Sequence, residues 1–131
     1  IRQRIFSEPE SRRLLENLLH PFVREDCLAS LEDAKQTQKV SHFIADIPLL
    51  FESSGSYPFD LTWVVACSRA SQVKRLKYRS ALDSELIKKI LDVQWPIERK
   101  MLKADRVLWN EGPEKLLKEQ LKRLLSEEFL K

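Results

Sequence analysis

The stretch that most constrains the fold is Leu61-Thr62-Trp63-Val64-Val65-Ala66-Cys67, which is apolar at every position except Thr62. A run of this length without polar alternation reads as a β-strand covered on both faces, the pattern of a parallel sheet layered between helices. A parallel neighbour requires a long crossover, usually helical, and the rest of the chain supplies helices on both sides.

Ser7-Glu8-Pro9-Glu10 forms a capping box with Pro near the helix start, and Leu14, Leu15, Leu18 and Leu19 follow at helical spacing. Pro disfavours helical geometry in the residue before it, so this helix is predicted to stop near His20-Pro21 and a second to run from about Phe22 to Ala34. Residues 42–47 are predicted to be a short strand, and Pro48-Leu49-Leu50-Phe51-Glu52 carries the chain off its end. Ser53 to Pro58 is a loop. Ser68 or Ser71 caps a helix reaching about Arg79, Asp83 caps another, and a third begins near Pro96. Arg106 to Trp109 reads as a strand, and Pro113 opens an amphipathic helix carrying Leu116, Leu117, Leu121, Leu124 and Leu125. Strands separated by helices argue for a parallel α/β sheet. Three strands are few for so many helices, which points to a sheet with members outside these residues.

Bulk properties narrow the function classes. The 131 residues are 43% hydrophobic and 33% charged, a balance that fits one domain of moderate core. No apolar run approaches the ~20 residues of a membrane span, and the charged start, Ile1 to Glu10, has no signal-peptide pattern. The net charge of +3 is spread without a basic stripe or interleaved aromatics, so nucleic acid is not an expected partner. Cys27 and Cys67 stand alone, away from metal-ligand spacing, and read as small buried side chains in a reduced, cytoplasmic compartment.

Several stretches, in order, resemble the dephospho-CoA kinase family of P-loop kinases. Arg4-Ile5-Phe6-Ser7-Glu8-Pro9-Glu10 and Leu18-Leu19-His20-Pro21 are similar to its acceptor-binding helices, and Ala45-Asp46-Ile47-Pro48-Leu49-Leu50-Phe51-Glu52 to its most distinctive internal motif. Gln72-Val73-Lys74-Arg75-Leu76, with Arg79, resembles the entry to its lid. Gln94, Pro96, Glu98-Arg99-Lys100 and Ala104-Asp105 resemble the far side of the lid, and Asn110-Glu111-Gly112 the turn after the last strand. The resemblance covers essentially the whole chain. It implies a three-layer P-loop NTPase kinase-like parallel sheet, with an acceptor-binding part at 1–35, core at 40–70 and 104–131, and a lid at 71–103. It also implies ATP-dependent phosphorylation of the ribose 3′-hydroxyl of dephospho-CoA, with Mg²⁺ bridging the ATP phosphates.

One departure is plain. The 131 residues contain no G-x-x-x-x-G-K-[ST] loop, whose backbone N–H groups and Lys hold phosphates in this family, and no acidic residue matching the base that follows it. The only glycines are Gly55 and Gly112. The expectation is the family's fold with its N-terminal strand and phosphate loop absent, without kinase activity as an isolated chain. The strands at 42–47 and 61–67 would then border an empty slot, an open edge that invites strand exchange or homo-oligomers.

Candidate site residues follow from the resemblance, each with an alternative. Arg75 and Arg79, four apart on one helix face, would neutralise phosphoryl charge from the lid; otherwise they belong to a solvated basic face with Lys74 and Lys77. Asp46, at a strand end where ligands of open α/β sheets gather, would order Mg²⁺ through water or accept N–H groups of the turn. Leu49, Leu50 and Glu52 would lie beside dephospho-CoA or belong to the core. His20 would join the acceptor site or cap the helix end. Asn110, Glu111 and Gly112 would lie near the adenine of ATP or serve only turn chemistry. A rival function is a non-catalytic module that binds CoA-like ligands or a partner chain.

Overall fold

The computed structural model describes residues 8–37, 40–53, 55–80 and 82–129. They fall into two compact units, Ile1–Pro58 and Phe59–Lys131.

The first unit is dominated by α1, Pro9–Gln36. Pro9 stands in its first turn, where a missing N–H costs nothing. Ser7 of the expected capping box lies outside the described residues; Glu8 is the N-cap, and its carboxylate accepts from Ser11 Oγ at 2.7 Å. The predicted break at His20-Pro21 does not occur, since Pro21 lies inside the helix. Its ring removes one hydrogen bond, to the Asn17 carbonyl, at a cost of about 3 kcal/mol. The strong helix formers on either side carry the helix through. Leu14, Leu18 and Phe22 form an exposed apolar line along it.

Residues 42–47 were expected as a strand and are not one. A strand is held by a neighbour's N–H and C=O groups, and no described residue gives 42–47 such a ladder. The Pro48–Glu52 segment is a turn: Leu50 N–H donates to the Ile47 carbonyl, and Ser53 N–H to the Leu49 carbonyl at 2.9 Å.

The second unit is α/β. Strand β1 (Trp63–Ala66) pairs in parallel with β2 (Arg106–Trp109), Trp63 opposite Arg106 and Ala66 opposite Trp109. Between them run α2 (Arg69–Ser80), α3 (Ser84–Asp92) and α4 (Ile97–Lys103), and α5 (Glu114–Phe129) follows β2. The caps are those the sequence offers. Ser68 Oγ accepts from Ser71 N–H at 3.2 Å, and Asp83 Oδ1 from Leu86 N–H at 2.8 Å.

The ladder is extended beyond both strand ends. Thr62 N–H donates to Asp105 Oδ2 at 2.7 Å, and Asn110 N–H to the Ala66 carbonyl at 2.7 Å. The side-chain amide of Gln120 on α5 bonds both the N–H and the C=O of Trp109, each at 3.0 Å, standing in for a further strand.

Among the described residues, Val64, Ala66, Leu86, Ile87 and Leu108 are the buried apolar ones, with Ile87 only 1% exposed. The expectation that both faces of the 61–67 run are covered is corrected here. Val64 and Ala66 are buried, but Val65 between them is 59% exposed, because the described helices cover one face. Cys27 and Cys67 are free and half-buried rather than buried. No described helix is long and apolar enough to cross a membrane.

Candidate functional site

In a parallel sheet the strand carbonyl ends share one edge, and the following loops and helix N-termini converge on it. Here β1 runs into Ser68 and α2, and β2 runs into Asn110, Glu111 and Gly112. The two turns meet.

Asn110 is held from both sides: its N–H donates to the Ala66 carbonyl, and its own carbonyl accepts from Arg75 Nη2 at 2.7 Å. Glu111 Oε2 accepts from Ser68 N–H at 2.8 Å. Its Oε1 accepts from Ser68 Oγ at 2.9 Å and, in a short bond, from Ser71 Oγ. The Ser71 hydroxyl, then the Ser68 N–H and hydroxyl, hold the Glu111 carboxyl below the usual glutamate range; desolvation opposes them less strongly, and Arg75 adds a still smaller attraction. An added Cβ at Gly112 would lie 3.2 Å from Leu116 Cδ1, a tight contact with the end of a flexible side chain.

Two sequence-predicted groups thus come together: Arg75 of the lid entry, and Asn110 and Glu111 of the turn after the last strand. Arg75 has a defined partner, unlike a simple solvated basic face. Arg79 is exposed one helical turn further along α2. At the start of α4, the Arg99 guanidinium lies 3.5 Å from the Trp95 ring centroid, a cation–π contact.

His20, Asp46, Leu49, Leu50 and Glu52 all belong to the first unit. His20 is half-buried on α1, and Asp46 is exposed just before the turn. Leu49, Leu50 and Glu52 are half-buried within it. Sequence reading missed Arg24, whose Nε donates to the Ser56 carbonyl at 3.1 Å and whose Cδ would lie 3.2 Å from a Cβ at Gly55. The arginine fastens α1 to the loop after the Pro48–Glu52 turn, and its only sequence signal is a glycine without an evident reason. Ser68 and Ser71 were read as helix caps, not as partners of Glu111. No cluster of three or more His, Cys, Asp or Glu suited to a metal occurs among the described residues.

Ligands of open α/β sheets gather at such an edge whatever their chemistry, and similarity to known proteins identifies the family. Residues 1–115 match the family model described as dephospho-CoA kinase. The chain belongs to the dephospho-CoA kinase family. It is 37% identical over 127 residues to the dephospho-CoA kinase of Enterococcus faecalis, covering 97% of this chain and 63% of that protein. Against the dephospho-CoA kinase of Gloeobacter violaceus it is 38% identical over 123 residues, covering 94% and 58%.

Among solved structures it is similar to a dephospho-CoA kinase from Campylobacter jejuni, with a TM-score of 0.59 and 30% identity over 95% of this chain and 62% of that one. A crystal structure from Thermus thermophilus matches with a TM-score of 0.69 and 31% identity, over 96% and 64%. The chain spans about three-fifths of the length of its curated dephospho-CoA kinase relatives, aligned to their C-terminal part.

Proposed function

We propose that this chain is the acceptor-binding, lid and C-terminal core portion of an enzyme that transfers the γ-phosphoryl group of ATP to the ribose 3′-hydroxyl of dephospho-CoA. The observation that carries this reading is the dephospho-CoA kinase family match over residues 1–115. In the transfer, the 3′-oxygen forms a bond to the γ-phosphorus as the bond to the β–γ bridging oxygen breaks. ADP departs, and the hydroxyl proton passes to a base that these 131 residues do not match.

Such a reaction is driven mainly by positioning and charge stabilisation. Arg75 and Arg79 are assigned to the charge on the transferring group, and the turn Asn110–Gly112 to the adenine side of ATP. His20, Asp46, Leu49, Leu50 and Glu52 are assigned to the acceptor. Mg²⁺ keeps most of its waters and is usually held by one or two carboxylates plus substrate phosphates. That fits a chain whose described residues offer single carboxylates such as the exposed Asp46 rather than a cage. Bound there, the ion would neutralise phosphate charge.

Calorimetric titration of the 131-residue polypeptide tests the assignment. Binding of dephospho-CoA with no appreciable binding of Mg-ATP is expected, because the acceptor residues lie in this chain and no phosphate loop does. A sample folded by circular dichroism that binds no dephospho-CoA contradicts it. The same result together with tight binding to another protein chain favours an interaction module.

A further inference from the structure

We infer that Glu111 is a positioning residue: its carboxylate latches the first turn of α2 to the turn after β2 and thereby sets the place of Arg75. The inference rests on the kinase reading for its consequence in catalysis, and on geometry for the latch itself.

Glu111 lies on an exposed turn, where a carboxylate is ordinarily left to water. Here both oxygens are engaged. Oε2 takes the Ser68 N–H, which stands at the N-cap of α2 and has no intrahelical partner. Oε1 takes the hydroxyls of Ser68 and Ser71. Ser68 Oγ in turn accepts from Ser71 N–H, so cap and latch form one network. The negative charge sits at the positive end of the α2 dipole, where it is favoured.

Arg75 lies four residues after Ser71, on the same helix face, and reaches the carbonyl of Asn110, the residue before Glu111. Two consecutive turn residues therefore grip α2 at its first turn and again one turn later. Separately each bond is modest; jointly they fix both the rotation and the height of the helix against the sheet edge.

A carboxylate with these donors is not free to contact a nucleotide, and a free one would repel the phosphates. The network holds the ionised carboxylate against the start of α2 and aims the guanidinium. Arg69 and Asp92 add a second tie, at 2.7 Å, between α2 and α3; with the latch intact, α2 is restrained on two sides.

The test uses the complete polypeptide that carries this chain, with Glu111→Ala, Ser71→Ala and Ser71→Thr, the last retaining the hydroxyl. The first readout is the Nη–H NMR signal of Arg75, the group that donates to the Asn110 carbonyl, independent of any activity. A dispersed, protected signal is expected in the wild type and in Ser71→Thr, and an averaged, solvent-exchanging one in Glu111→Ala and Ser71→Ala.

The second readout is kcat and KM for ATP with dephospho-CoA. A fall in kcat of about ten- to a hundredfold is expected in the same two variants, as for a misplaced catalytic group. Its rescue in Ser71→Thr, with the affinity for dephospho-CoA unchanged, would separate positioning from general damage. An Arg75 signal indifferent to Glu111→Ala and Ser71→Ala overturns the latch. A lost signal with unchanged kcat overturns its role in catalysis. If the wild type has no activity on dephospho-CoA, the kinase reading fails, and the NMR result alone decides the latch.

Discussion

Replacing Ile87 by Ala is expected to remove a large share of the stability of the second unit. Ile87 is the most deeply buried large side chain in the described residues, on α3 beside Leu86. At about 0.8 kcal/mol per buried carbon, losing the three carbons beyond Cβ costs about 2.4 kcal/mol in transfer free energy alone. A cavity term adds to this, because the surroundings of a truncated core side chain relax only partly. The sum is about 3–4 kcal/mol, inside the range of about 2–5 seen for such truncations.

Domains of ordinary stability have about 5–15 kcal/mol in total, so the loss is severe. In urea, with a slope of about 1–3 kcal/mol per molar, the midpoint should fall by about 1–4 M. Circular dichroism and tryptophan fluorescence of the 131-residue polypeptide would follow it. Leu102→Ala is the control: Leu102 is 88% exposed, and its loss should stay within about 0.5 kcal/mol. An Ile87→Ala cost below about 1 kcal/mol, or one matched by Leu102→Ala, would show that the core is not where burial places it.

Other expectations are more local. Asp83→Ala removes the side-chain cap of α3 and should cost about 1 kcal/mol in the same urea experiment; no change would mean the bond to Leu86 N–H is not made in solution. The Glu111 carboxyl is lowered in the folded state, first by Ser71 and then by Ser68. Its stabilisation is therefore complete above the ordinary glutamate value of about 4.3 and lost as pH falls through the lower folded value. The wild type should lose more stability than Glu111→Gln on acidification through that window, and equal losses would refute the linkage. In the complete polypeptide, Arg75→Ala should lower kcat by at least about tenfold, as expected for a cation that stabilises phosphoryl transfer; Arg79→Ala should act in the same direction. Unchanged kcat in both would remove the lid arginines from the mechanism.

Legibility in the sequence followed the range of the interactions. The caps Ser68 and Asp83 are set by neighbours within a few residues, and they stand where cap chemistry puts them. The His20-Pro21 break was misread because a dipeptide preference is weak against two long flanks of helix formers. Residues 42–47 have strand composition, but composition supplies no partner, and a strand is a property of two segments. The exposed Val65 has the same cause: an apolar run states what is to be covered and not whether a covering element is at hand. The Glu111 network was hidden for another reason, since its serines lie some forty residues away in sequence, joined only through the parallel pairing of β1 and β2. Arg75 and Asn110 were singled out by resemblance; their bond to one another had no sequence signal.

The measurement that tests the central claim most directly is phosphoryl transfer by the complete polypeptide, with labelled ATP, Mg²⁺ and dephospho-CoA, the product analysed by mass spectrometry. The account predicts coenzyme A carrying the label on its ribose 3′-phosphate, with one ADP formed per product. Absence of that product under conditions where the protein is folded and binds ATP, or transfer to a different acceptor instead, would contradict it.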